Sequence, residues 1–223
     1  NNTASGSRAI VSGNGNTGAG NNNLVVGTGN ASTLGNAIVG GNNNSVTAGN
    51  AIVGGSTNTV TGANRSIVGG ANNVVDGVNS VVSGSQNTVT AANNVVGGNN
   101  NIVTGTTNTI GGAQNVVSGA RSSSNGLSNT ISGNNASTLG NNNIVGGDSA
   151  LAMGFNHTVN GVNGAAFGTG NQINAATTQI TIFGNFTQHQ NANGSNFVTG
   201  GGAAAGPALT ANRRWRINSG TGQ

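Results

Sequence analysis

Apolar and polar positions recur with a period of 14 residues from Asn36 to Gly119. Asn36-Ala-Ile-Val-Gly-Gly-Asn-Asn-Asn-Ser-Val-Thr-Ala-Gly49 returns as Asn50-Ala-Ile-Val-Gly-Gly-Ser-Thr-Asn-Thr-Val-Thr-Gly-Ala63. One apolar series is Val39, Val53, Val68, Val82, Val96 and Ile110, with steps of 14, 15, 14, 14 and 14; the long step is read as absorbing Arg65 as an insertion. A second is Val46, Val60, Val75, Val89, Val103, Val117 and Ile131. The period is too short for helical repeats or a leucine-rich unit. Frequent Gly disfavours helix, and β-branched Val and Ile suit strands. Each repeat therefore predicts two strands, as at Ala37–Gly40 and Ser45–Thr47, each followed by Gly and Asn that accept turn conformations. The expected fold is all-β: a parallel β-roll or β-solenoid, its coils stacked about 4.8 Å apart.

Neighbouring strand residues point to opposite faces. In Ser45-Val46-Thr47, Thr59-Val60-Thr61 and Thr88-Val89-Thr90 the valine points inward and the hydroxyls point to water. In the other strand both faces are apolar. One fills the interior; the other places Ile38, Ile52, Ile67, Val81 and Val95 in an outer stripe. Such a stripe marks an interaction surface, and self-association is the simplest way to bury it.

Along the chain, residues 1–175 read as repeats, with an irregular Ser/Asn/Gly loop near 120–134. Asn30-Ala-Ser-Thr-Leu-Gly-Asn36 recurs at Asn135–Asn141, which reads as an internal duplication. Residues 176–223 read as a C-terminal cap or junction. All five Phe and the only Trp and Pro lie beyond residue 150, and large side chains could close the open core of a solenoid end. The chain opens with the repeat style already running, as a fragment or processed product would.

Composition narrows the chemistry. Six basic and two acidic residues leave the chain nearly uncharged, and there is no Cys. Asp76 and Asp148 are the only carboxylates, and neither His157 nor His189 has ligands at metal-binding spacing. No catalytic constellation, metal site or cofactor site is expected, and no apolar run is long enough to span a membrane. Arg213, Arg214, Trp215 and Arg216 form a basic, aromatic cluster that could meet an anionic surface; a junction or packed tail is the simpler reading, and no nucleic-acid partner is expected. Thr59, Thr61, Thr88 and Thr90 form an outward hydroxyl ladder. Such a ladder could order water, as in ice-binding solenoids, although Val74, Asp76, Ile102 and Val116 interrupt it.

The phrases Asn79-Ser-Val-Val-Ser-Gly84 and Asn50-Ala-Ile-Val-Gly-Gly55 resemble the head repeats of trimeric autotransporter adhesins of the YadA type, over about residues 9–175. The resemblance implies a left-handed parallel β-roll assembled as a homotrimer, with Ile38, Ile52, Ile67, Val81 and Val95 at the seam. It implies a non-enzymatic adhesin on the bacterial cell surface, binding a host-surface protein or glycan by multivalent contact. Similar repeats occur in phage tail fibres, which is the alternative reading and would place the chain on a virion tail. An ice-binding or structural solenoid is the second alternative.

Overall fold

The computed structural model describes residues 1–62, 64–174, 179–189, 196–201 and 215–217. The chain is an all-β parallel β-solenoid with about 14 residues per coil, and no helix occurs among the described residues. It divides into two compact units, Asn1–Ala113 and Gln114–Gln223. The stacking therefore does not break at residue 175: Ala165–Thr169 pairs in parallel with Ile180–Asn185, which pairs with Asn196–Gly201.

In the first unit, one sheet runs from Thr3–Ala4 to Ile102–Val103 and the other from Ile10–Asn14 to Thr109–Ala113, all strands parallel to their neighbours. The expected pair of strands per coil is present, at Ile38–Asn42 and Ser45–Val46 in one coil. Both are short because each coil turns twice. At each turn one residue is left-handed: φ is 59° at Asn36 and 54° at Asn43. Between turns the alternation is strict, so Val39 and Val46 bury fully, face each other across the coil, and repeat in register up the stack. Burying one such valine contributes about 1.5–3 kcal/mol, and these two rows supply most of the apolar core of this unit.

Three sequence expectations change. Arg65 is not an insertion: its amide bonds Gly49 O, as that of Asn50 bonds Gly35 O and that of Asn79 bonds Asn64 O. With φ at 59° it fills the left-handed turn position those asparagines hold. The 15-residue step is taken up between Gly62 and Arg65, and both ladders stay in register on either side of it.

The stretch 120–134 is not a loop. Ser123–Leu127 pairs residue for residue with Ser137–Asn141, and Thr130–Ile131 with Ile144–Val145. The apolar period disappears there because Ser124 and Thr138 occupy the inward positions. Their hydroxyls meet at 2.9 Å, and Ser124 Oγ also donates to Asn115 Oδ1 at 3.2 Å.

The repeated heptapeptide is read in two registers. At Asn30–Asn36 the buried side chains are Asn30 and Ser32; at Asn135–Asn141 they are Ala136 and Thr138. The first copy contributes Ala31–Ser32 to one sheet and the second contributes Ser137–Asn141 to the other, so the two copies are not equivalent pieces of coil. The first leaves Ser32 Oγ buried without a hydrogen-bond partner.

Candidate functional site

A buried asparagine ladder makes the coils of the first unit a rigid support. Asn44, Asn58, Asn73, Asn87 and Asn101 stack behind one turn, all at or near zero exposure. Asn87 Oδ1 accepts from the backbone amide of Asn101 at 3.1 Å and from its Nδ2 at 3.0 Å. Asn87 Nδ2 lies within hydrogen-bond distance of Asn73 Oδ1, Ser83 O and Gly98 O. One amide thus occupies its acceptor fully and shares its two hydrogens among three acceptors, tying three successive coils together. Beside it runs a row of left-handed glycines, among them Gly55 at φ 103° and Gly70 at φ 102°. A side chain at either would strike the next coil's carbonyl oxygen.

This frame fixes two outward rows on the sheet that carries Ser45–Val46. The first contains Ser45, Thr59, Val74, Thr88 and Ile102, paired coil to coil. The second lies two residues further along each strand and contains Thr33, Thr47, Thr61, Asp76, Thr90 and Thr104. Backbone amides at Thr33, Thr47, Thr61, Asp76 and Thr90 donate to Val46, Val60, Val75, Val89 and Val103 in the coil above. All six side chains of the second row are exposed, whereas Thr59 and Thr88 in the first are half-buried. Strand geometry sets the spacing at about 4.8 Å along each row and about 6.6 Å between rows.

The expected hydroxyl residues Thr59, Thr61, Thr88 and Thr90 therefore share one face. Thr33, Thr47 and Thr104 belong with them. Each directly follows an inward residue, and neither Thr33 nor Thr104 lies in a complete Thr-Val-Thr phrase. The interruptions are also milder than their identities suggest. Val74 and Ile102 retain the branched methyls of threonine. Asp76 Oδ1 accepts from Thr61 Oγ1 at 2.9 Å and from the Gly62 amide at 2.7 Å, so the carboxylate is held against the face.

The opposite sheet of this unit carries the expected apolar stripe. Ile38, Ile52, Ile67, Val81 and Val95 pair in a line, each between 42 and 51 % exposed. The second unit repeats neither face: at the positions of the threonine row it has Ser118, Ser132, Gly146 and Asn160. Of the C-terminal cluster, Arg213 and Arg214 lie outside the described residues. Trp215 and Arg216 belong to the strand Trp215–Ile217, which pairs with Asn196–Gly201.

The histidines do not form a site. His157 replaces asparagine in the buried ladder of the second unit. Its amide donates to Asn143 Oδ1, and its Nδ1 accepts from the Asn171 amide at 3.1 Å. The proton therefore sits on Nε2, which donates to Met153 O at 3.1 Å. Burial lowers its pKa from the ordinary value, against smaller opposing effects of backbone hydrogen bonds. Among the described residues no group of three or more His, Cys, Asp or Glu is placed to hold a metal ion, and no helix is long and apolar enough to cross a membrane.

Comparison with known proteins points to the threonine-bearing coils. A family model described as the grass antifreeze beta roll matches residues 29–126, a span that contains every threonine of the second row. No curated protein matches the chain. The match overturns the resemblance to trimeric autotransporter adhesin heads. The phrases behind that resemblance encode a left-handed turn residue, an inward valine and a glycine. Any roll of this pitch needs these, so they specify the coil without distinguishing one family of rolls from another.

Proposed function

We propose that the chain binds ice, through the threonine face of its first unit. The observation that carries this reading is the second outward row, Thr33, Thr47, Thr61, Asp76, Thr90 and Thr104, held in register beside a row rich in branched side chains. Liquid water offers a protein no fixed pattern to match, whereas ice presents water sites at regular intervals. Equal steps in two directions are useful against such a lattice and superfluous against most soluble ligands.

Rigidity adds to the match. Threonine is stiff at its first side-chain torsion, and the asparagine ladder beneath fixes the backbone. Little conformational freedom remains to be lost on contact, which is how a pre-organised surface gains affinity. Each threonine offers a methyl and a hydroxyl, so individually weak contacts add along the rows. Asp76 is the only ionised group in the two rows, and its tie to Thr61 and Gly62 keeps the carboxylate close to the sheet. The family match over residues 29–126 supports the same coils.

The test is partition into slowly growing ice. The purified chain should concentrate in the ice fraction while a non-binding protein of similar mass stays in the liquid. Equal exclusion of both would refute the reading.

A further inference from the structure

We propose that the apolar face of the first unit pairs two copies of this chain, with their solenoid axes parallel. The evidence lies in glycines that the fold itself does not require. Gly40, Gly54, Gly69 and Gly97 share the outward face with the Ile/Val stripe, each two residues beyond a stripe residue. Their amides hold the ladder, as in Gly54 N to Val68 O and Gly69 N to Val82 O. None of the four is in the left-handed region. A Cβ at Gly40, Gly54 or Gly69 would meet nothing within 4 Å, and one at Gly97 would make only an ordinary contact with Ser83 Oγ. The glycines that follow them, such as Gly41 and Gly55, are required by φ and by the next coil. Glycine in extended backbone is costlier to order than alanine. A row kept at that cost with open space above it marks close approach by another body.

The face is thus a ridge beside a trough, about 6.6 Å apart, and its symmetry selects the occupant. A two-fold axis parallel to the solenoid axis exchanges left and right across the face while keeping each coil at its own height. Each ridge then lies in the partner's trough: Ile38 over Gly40, Ile52 over Gly54 and Ile67 over Gly69 of the other copy. A two-fold axis running along the strands would instead set ridge on ridge. Sizes agree from Ile38 to Val81, and Val95 beside Gly97 fits more loosely. Where the trough holds Ser83 rather than glycine, the ridge residue of that same coil is the smaller Val81. At the coil before Ile38, Val26 fills the trough beside Leu24, and beyond Val95 the ridge becomes Thr109, so the paired region spans Ile38 to Val95. Five half-exposed side chains and their trough cover less than the roughly 800 Å² per partner of a standard stable interface, so the pairing is reversible. It leaves the two threonine faces pointing outward in opposite directions, and it stands whether or not those faces bind ice.

Sedimentation velocity on the full chain over a range of concentrations tests this. The mass should rise with concentration from the monomer's 21.4 kDa towards twice that value. The double variant Gly54→Leu/Gly69→Leu should remain monomeric throughout, with unchanged circular dichroism and thermal midpoint, because its side chains enter open space. Ile52→Ser/Ile67→Ser should also be monomeric. A wild-type chain that stays monomeric at the highest concentration overturns the proposal, as does a trimer, or a Gly54→Leu/Gly69→Leu variant that still pairs. Loss of ice activity from Gly54→Leu/Gly69→Leu in a chain already monomeric would assign the trough to ordered water and overturn it as well.

Discussion

The left-handed turn residues show what a single position contributes. Each coil needs one at each turn, and Asn fills more of these positions than any other residue because it tolerates that region better than other residues with a Cβ. Thr57 does not. It is β-branched, has φ at 57°, is exposed, and follows Asn43 in the same row. The left-handed region costs an ordinary residue roughly 1–2 kcal/mol. Thr57→Asn should therefore stabilise the chain by about 1 kcal/mol, raising the thermal midpoint by about 2–4 °C. A lower midpoint would mean that Thr57 makes a contact outweighing its strain. Arg65 shows how this position misleads a reader of sequence. An arginine where asparagine is expected looks like an inserted residue, although the backbone requires only the φ value.

At the level of the ladder, His157 is an asparagine substitute whose function depends on its being neutral. Protonation would place a hydrogen on Nδ1, facing the Asn171 amide that Nδ1 now accepts from. The folded state therefore resists protonation, while the unfolded chain protonates near the usual value of about 6.5. Between that value and the lower pKa of the folded state, the unfolded chain binds more protons, so stability falls as pH is lowered. It is flat in this term above about pH 6.5. The slope cannot exceed about 1.4 kcal/mol per pH unit for one group. Denaturant unfolding of the full chain should show this loss as pH falls below about 6.5, and His157→Asn should remove most of it. An unchanged slope in the variant would place the titrating group elsewhere.

The same ladder explains what was legible in the sequence. The Val rows were plain because a two-row core has no substitute for inward β-branched side chains, and they gave the solenoid, its pitch and the direction of each side chain. The buried asparagines were equally regular. They read as turn residues because nothing in the sequence separates an exposed left-handed Asn43 from the buried Asn44 beside it. Residues 120–134 were obscured by Ser124, which satisfies its hydroxyl inside the core and so breaks the apolar period without breaking the coil.

At the largest scale, the two sheets of the first unit offer different surfaces, one set with hydroxyls and methyls and one with an apolar ridge and trough. The periodicity made both visible and put the apolar stripe first. The stripe resembled a seam of an adhesin trimer, and the interrupted threonine ladder supported only the second alternative. In three dimensions the ladder gains Thr33, Thr47 and Thr104, and Val74 and Ile102 keep its branched profile.

The most direct test of the threonine face is thermal hysteresis, measured on the wild-type chain and on Thr61→Tyr/Thr90→Tyr. Both substitutions are at exposed positions of the second row, so circular dichroism should be unchanged. The account predicts hysteresis with shaped ice crystals for the wild type and loss of most of it in the variant. A wild-type chain without hysteresis or ice shaping, or a variant that keeps its full activity, would contradict it.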